Sequence, residues 1–206
     1  MKPILTAEKM RQAEQAAVLR GVSLLQLMEN AGVGAANALL HIFPQAKHGL
    51  MICGKGNNGG DALVMSRILA DFGVKSDILL VMGDNLSELS QINRNRLPEN
   101  TPIYFSSSLN FHQYDFVVDA VFGTGFSGNL PNHIENIFSI INKLNTKRFA
   151  LDIPSGVNCD TADVAENSFI AHHTFAFGAY KPAHFIDKAQ PYCGAVQLID
   201  IGIQAA

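Results

Sequence analysis

Apolar residues along this chain recur in two rhythms. Near the N-terminus they keep helical spacing. Thr6 is placed to cap a helix running to about Leu19 and closed by Gly21. Ser23 is placed to cap a second, from Leu24 to about Phe43, which Pro44 ends. In that second helix Leu24, Leu27, Met28, Ala31 and Ala35 share a face. Gly32 and Gly34 within it cost helix stability unless something packs close against them. Beyond Pro44 short continuous apolar runs alternate with helical stretches. Strands are predicted over 49–54, 77–82, 116–122, 149–153, 173–177 and 195–201, with a short one over 102–105. Helices are predicted over 61–72, 86–97 and 131–144, the last with Pro131 at its start. Such alternation describes a doubly wound α/β domain with a mostly parallel sheet covered on both faces.

The 206 residues show no internal repeat, low-complexity stretch or linker, so residues 1–206 read as one domain, with 158–167 its most loop-like long segment. Hydrophobic residues make 48% of the chain and charged residues 16%, enough apolar side chain for a sizeable core, which excludes disorder as the main state. The net charge of −3 offers no basic field for a phosphate backbone, so no nucleic-acid partner is expected. Mean hydropathy is +0.13, yet Ile78 to Met82 is typical of the longest apolar runs. A membrane helix needs about 20 apolar residues in succession, so no membrane partner is expected either. Cys53, Cys159 and Cys193 are sparse and odd in number and form no C-x-x-C pair, which suits a reducing compartment. The N-terminus carries Glu8 and Glu14 in a helical pattern and resembles neither a signal nor a transit peptide, so the chain reads as cytoplasmic.

Ligands of such folds sit at the carboxyl ends of strands, and three segments place unusual residues there. The first is Gly54-Lys55-Gly56-Asn57-Asn58-Gly59-Gly60-Asp61, between a strand and a helix. Its glycines would let backbone amides approach a ligand, and amides at a helix start attract anions. It lacks the G-K-[ST] of a Walker loop, and although Gly54, Gly56 and Gly59 satisfy G-x-G-x-x-G, the segment is denser than that fingerprint requires. The second segment is Val118-Asp119-Ala120-Val121-Phe122-Gly123-Thr124-Gly125-Phe126-Ser127-Gly128. Asp119 interrupts an apolar strand, and a carboxylate there needs a cation or several donors. A salt bridge or a clamp of loop amides would satisfy it as well as a ligand would. The third is Leu151-Asp152-Ile153-Pro154-Ser155-Gly156, where Asp152 again ends an apolar strand ahead of a turn. His172 and His173 are neighbours that face opposite ways, so they cannot ligate one metal together. Lys181 and Lys55 could each reach a phosphate or simply be solvated.

Together these segments resemble the YjeF N-terminal domain family, the NAD(P)H-hydrate epimerases. The matching motifs, in family order and spread over the whole chain, are Met28-Glu29-Asn30-Ala31-Gly32, the Gly54 to Asp61 loop, Val118-Asp119-Ala120 with Phe122-Gly123-Thr124-Gly125, Asp152-Ile153-Pro154-Ser155-Gly156, and Lys181-Pro182. Asp200-Ile201-Gly202 is similar to the close of the family's last strand. The departures are Ala62, where glycine is usual, and Lys55, where proline is common.

The resemblance implies a Rossmann-like three-layer α/β/α sandwich, usually a homodimer. It implies interconversion of the R and S epimers of NADHX and NADPHX, the hydrated, damaged forms of the reduced dinucleotides. It implies that Asn57, Asn58, Gly59, Gly60, Asp61, Gly123, Thr124, Gly125, Phe126, Ser127, Gly128, Asn129 and Asp152 bind this substrate, and that Asn58, Asp119 and Ser155 hold a potassium ion. No kinase-like domain follows, so a separate dehydratase is the expected functional partner. The reacting carbon carries a hydroxyl and adjoins the ring nitrogen. Asp152, beside the substrate-binding turn, is the candidate acid and base for expelling and returning that hydroxyl. An iminium route and a ring-opening route need the same proton transfers.

Two other functions stay open at this level. An NAD-dependent oxidoreductase would need an acid about 20 residues beyond the glycines to hold the ribose, and Asp77 and Asp84 fit only approximately. A non-catalytic dimeric scaffold need not keep the catalytic carboxylate, and this chain keeps both Asp119 and Asp152 with both glycine loops, which favours an enzyme. Leu39, Leu40, Ile42 and Phe43 crowd the end of the second helix, which suggests that the N-terminal helices form the dimer contact.

Overall fold

The computed structural model describes residues 3–106 and 109–203. Helix α1 spans Ala7–Leu19 and α2 Leu24–Ile42. Both predicted caps form: the Thr6 hydroxyl accepts from the Lys9 amide at 3.3 Å and the Ser23 hydroxyl from the Gln26 amide at 3.1 Å. The chain leaves α1 through Gly21 at φ +95°, a turn that glycine makes without strain. Then follow β1 (His48–Cys53), α3 (Asn57–Asp71), β2 (Lys75–Leu80), α4 (Glu88–Arg94), β3 (Ile103–Tyr104), β4 (Phe116–Ala120), α5 (Asn132–Ile141), β5 (Lys147–Leu151), β6 (His173–Phe177), α6 (Gln190–Cys193) and β7 (Ala195–Ile199).

The seven strands form one sheet in the order β3-β2-β1-β4-β5-β6-β7, and every neighbouring pair is parallel. The sheet side chains divide by alternation. Met51, Cys53, Phe116, Val118, Phe149 and Phe175 pack under α1, α2 and α3. Leu50, Ile52, Val117 and Ala150 pack under α5 through Ile134, Ile137, Phe138 and Ile141. The architecture is therefore α/β, three layers around a parallel sheet. Each fully buried phenylalanine of the central strands contributes roughly 1.5–3 kcal/mol of transfer free energy.

Gly32 explains itself in this packing. A side chain there would run into Val64, because α2 lies directly on α3. The largest difference from the sequence expectation is the start of α3. The helix begins at Asn57 rather than Asp61, so the glycine-rich segment is its first turn and not a loop. The short turn Pro182–Phe185 and helix α6 carry no strong periodic signal and were not expected. The crowding at the end of α2 also resolves differently from its expected role in a dimer. Leu39 is fully buried, and Leu40, Ile42 and Phe43 pack against the chain's own core.

Candidate active site

Strand order reverses between β1 and β4, one strand running outward to β2 and the other to β5. Connections leave this point in opposite directions, which opens a crevice at the carboxyl ends of the two strands. A cavity of about 480 Å³ lies there. Its floor is the chain after β1 and the first turn of α3, including Asn57, Asn58 and Asp61. One wall is Phe122, Gly123, Thr124 and Gly125 after β4, with Asp152 after β5 and Phe177 at the end of β6. Helices line it too, with Met10, Arg11 and Glu14 from α1 and Leu24, Leu27, Met28 and Ala31 from α2.

The glycines of the first segment do different jobs from one another. A side chain at Gly54 would run into the Val121 carbonyl, one at Gly59 into the Gly54 carbonyl, and one at Gly60 would stand 2.6 Å from the Met28 methyl. These three let β1, β4, α2 and α3 converge. Gly59 and Gly60 are buried and do not line the cavity. Gly56 has nothing within 4 Å of where its side chain would stand, and it opens the cavity floor. It is also the N-cap of α3 and supplies no side-chain cap, so the first amides of a 15-residue helix are left for a ligand. The segment is held in place by α4. The Ser90 hydroxyl donates to the Gly56 carbonyl at 2.9 Å and the Ser87 hydroxyl to Asn57 Oδ1 at 3.0 Å.

Of the second segment, Gly123, Thr124, Gly125 and Phe126 line the cavity, whereas Ser127, Gly128 and Asn129 are exposed beyond it. The loop is pinned from behind by Asn158, whose amide donates to the Phe126 carbonyl at 3.1 Å.

Asp119 lies beneath this loop, fully buried and outside the cavity lining. Its Oδ2 accepts from the Ser155 amide at 2.6 Å. Its Oδ1 accepts from the Ser155 hydroxyl at 2.7 Å and the Val121 amide at 3.2 Å. Burial raises its pKa to about 6, and the hydrogen bonds from Ser155 limit the rise. Ser155 in turn accepts from the Phe122 amide at 2.8 Å. Asn58 joins the same corner. Its Nδ2 donates to the Phe122 carbonyl at 2.9 Å, while its Oδ1 is buried without a partner.

Asp152 has a different setting. Its backbone is left-handed, at φ +64°, and its carboxyl group faces the cavity. A methyl placed on Gly123 would stand 3.5 Å from Asp152 Oδ2 and 3.6 Å from Asn58 Cβ, so glycine there keeps the space between the two open. Oδ1 pairs with the ammonium of Lys181 and accepts from the Phe177 amide at 3.3 Å. Lys181 is fully buried and also donates to the Phe177 carbonyl at 3.0 Å. The lysine is therefore neither solvated nor at a phosphate; it is the internal cation for Asp152. His184 completes the corner. Its Nδ1 accepts from the Lys181 amide at 3.1 Å, so its proton sits on Nε2, which donates to the Asp152 carbonyl at 3.0 Å. Burial lowers the pKa of this ring to about 4, helped by the Lys181 charge and opposed by Asp152.

The glycine-rich start of α3, the Asp119 strand and the Asp152 turn thus converge on one crevice from segments far apart in sequence. The sequence model described as YjeF-related protein N-terminus matches residues 24–183. The chain belongs to this family. It is 33% identical to an NAD(P)H-hydrate epimerase of Lentilactobacillus buchneri, over 98% of this chain and 96% of that one. It is 32% identical to another from Pirellula staleyi, over 100% and 95%. A bifunctional NAD(P)H-hydrate repair enzyme of Coxiella burnetii is 33% identical over 95% of this chain, which spans only 40% of that longer protein. Among solved structures, yeast ynu0 shares the fold with a TM-score of 0.79 at 24% identity, covering 88% of this chain and 82% of that one.

An NAD-dependent oxidoreductase would rest on an acid for the ribose, and Asp77 is not placed for that. Asp77, one of the two acids considered for the ribose, lies inside β2 and not at its end. It is buried and held by the Tyr114 hydroxyl at 2.8 Å and His48 at 2.9 Å. The His172-His173 pair is likewise structural, with His172 accepting from the Arg148 amide at 3.0 Å and His173 stacked on Phe149. Among the described residues no helix is long and apolar enough to cross a membrane. No sequence motif marks Glu14 or His184 as part of the site; in the sequence Glu14 reads only as an acid in the first helix.

Proposed function

We propose that this protein is an NAD(P)H-hydrate epimerase that interconverts the R and S epimers of NADHX and NADPHX. One observation carries the reading: a single crevice combines the uncapped start of α3 with the carboxyl group of Asp152. The helix amides suit the pyrophosphate of a dinucleotide and hold the reacting ring in place. Asp152 supplies proton transfer to the hydroxylated carbon. Relatives that this chain matches over nearly their full length carry the epimerase name.

The substrate contacts we assign within the cavity are Asn57, Asn58, Asp61, Gly123, Thr124, Gly125, Phe126 and Asp152; Gly59 and Gly60 shape the turn behind them, and Ser127, Gly128 and Asn129 lie beyond the lining. A potassium ion between Asn58, Asp119 and Ser155 fits this corner. Asn58 Oδ1 is a buried oxygen that lacks a partner, and a cation would supply one. Asp119 already takes three donors and would share its remaining lone pairs. Bound there, the ion would tie the α3 turn to the loop after β4. Exchange of potassium for tetramethylammonium is expected to lower both turnover and melting temperature.

We further propose a homodimer, cytoplasmic residence, and a dehydratase that acts on the repaired epimer. Support for self-association comes from the corner between α1 and α2, where Val18, Leu19 and Leu24 are exposed, Leu19 to 89%. Light scattering at micromolar concentration tests it, a monomer being the adverse result. The activity is tested by adding the protein to purified R-NADHX and following the S epimer by chromatography. Conversion no faster than the uncatalysed rate sinks the proposal.

A further inference from the structure

Helix α1 turns a narrow apolar stripe inward. Met10 is 3% exposed and Ala17 is fully buried, and both pack into the core beneath. Glu14 lies on the same stripe, one turn beyond Met10, and faces the cavity. A carboxylate in that position is costly unless a cation or donors meet it. Among the described residues no ion pair reaches Glu14; the buried ammonium of Lys181 is engaged by Asp152. Asp61, on the second turn of α3, faces the same space and also has no ion pair among them.

The cavity thus brings three carboxyl groups together with one internal lysine. The other charges at its rim are Arg11, on the same helix as Glu14, and Lys55, exposed in the turn before α3. Helix α2 adds only apolar side chains to this wall. Burial disfavours the charged form of Glu14 and of Asp61, and the charge of Asp152 adds to this at both. Asp152 is paired with Lys181, whereas neither Glu14 nor Asp61 has an ion pair among the described residues.

We infer that Glu14 is a second acid–base residue of the epimerisation, a proton donor lining the same cavity as Asp152. The inference rests on the epimerase reading of this site and divides between two side chains the work that reading gave to Asp152. In the forward step the Glu14 carboxylic acid gives its proton to the substrate hydroxyl as the carbon–oxygen bond breaks. The lone pair of the ring nitrogen forms the carbon–nitrogen double bond, and water leaves. In the return step water adds to the planar carbon and the electron pair goes back to nitrogen. The Asp152 carboxylate takes the proton released by that water. One proton is given and one taken, so the enzyme finishes with the protonation pattern that serves the opposite epimer. The donor comes from α1 and the acceptor from the carboxyl end of β5, and in this scheme loss and return of the hydroxyl use different faces of the ring. Burial and the Asp152 charge both raise the pKa of Glu14, with Arg11 and Lys181 opposing, and this favours a carboxyl that still holds its proton near neutrality.

The test is Glu14→Gln in the whole protein, assayed on purified R-NADHX with the parent alongside. Turnover at saturation is expected to fall roughly 10²–10⁴-fold with little change in KM. The parent's turnover should decline on the alkaline side as the donor loses its proton, and the variant should lose that decline. Thermal melting supplies a readout independent of activity. A carboxyl whose pKa is raised by folding destabilises the fold once it ionises. Glu14→Gln is therefore expected to melt higher than the parent at about pH 8 and equally at about pH 4. An active parent with Glu14→Gln turning over within about threefold of it overturns the inference, as does a variant that melts lower at every pH. A parent that leaves the epimers alone overturns the epimerase reading itself, and the role of Glu14 with it.

Discussion

Asp119 and Asp152 look alike in sequence: each lies at or near the end of an apolar strand, ahead of a glycine-containing turn. The fold gives them opposite settings. Asp119 is fully buried under the loop and satisfied by the amides of Ser155 and Val121 and the hydroxyl of Ser155, all neutral donors. Asp152 stands at the cavity in a left-handed backbone and is met by a cation. A carboxylate held by neutral donors in the interior acts as a clasp between loops. One with a free oxygen toward the cavity and an ammonium behind it is equipped for proton transfer. Position at a strand end brings both acids to the crevice, and the chain that folds over each of them decides its task.

The largest effect expected from this contrast is catalytic. Asp152→Asn keeps the shape, and asparagine tolerates the left-handed backbone, but it cannot exchange a proton near neutrality. Epimerisation should fall roughly 10²–10⁴-fold at saturating substrate. The substitution also strands the Lys181 ammonium, so stability should fall by about 1–3 kcal/mol. Replacing Lys181 with methionine in the same protein should restore much of that stability and none of the turnover. Urea denaturation and the epimer assay separate the two quantities. A folded Asp152→Asn protein that works within about threefold of the parent removes Asp152 from the chemistry.

The contrast was only half legible in the sequence. Strand β6 falls where its apolar run predicts, and both N-terminal caps form where threonine and serine stand. These signals are local, and local periodicity is enough for them. The start of α3 departs from the expectation because Asn-Asn-Gly-Gly has the composition of a turn. Its glycines serve contacts with the Gly54 carbonyl and Met28, which lie outside the segment itself. The partner of Asp152 was invisible for a similar reason: Lys181 lies 29 residues away and meets it only after β6 has paired beside β5. Glu14 did leave a trace, an acid on the Met10-Ala17 stripe. Without knowing which helix face is inward, a single acid in an amphipathic helix reads as solvated.

The clasp should break next, with the effect on stability. Asp119→Ala leaves two buried amides and a hydroxyl without their acceptor. Each stranded group costs on the order of 1–3 kcal/mol, and partial access of water lowers the sum to about 2–4 kcal/mol. Asp119→Asn keeps an oxygen for part of the set and should lose less. Turnover per folded molecule should fall together with potassium affinity, since the loop and the proposed ion share the corner. Denaturant titration with and without potassium checks both. If Asp119→Ala proves as stable as the parent, the clasp assignment fails.

The smallest expected effect concerns the histidine behind Asp152. His184 accepts the Lys181 amide on Nδ1, so protonating the ring forfeits that bond inside a buried corner. Its folded pKa of about 4 lies below the ordinary value of 6.5, so the unfolded chain binds the extra proton first as pH falls. The stabilisation is therefore complete above about pH 6.5 and is lost progressively toward about pH 4. Between pH 6 and 5 it should amount to a loss of about 1 kcal/mol. Glutamine at this position can still donate to the Asp152 carbonyl but does not titrate. His184→Gln should remove this share of the acid-side slope while leaving the melting temperature at about pH 8 close to the parent's. The same slope in parent and variant would mean that another group carries it. A variant already destabilised at about pH 8 would show that the ring's shape matters more than its charge. Asp119 cannot imitate the signal. Its pKa is raised on folding, so its own contribution runs the other way and is lost as pH rises toward about 6.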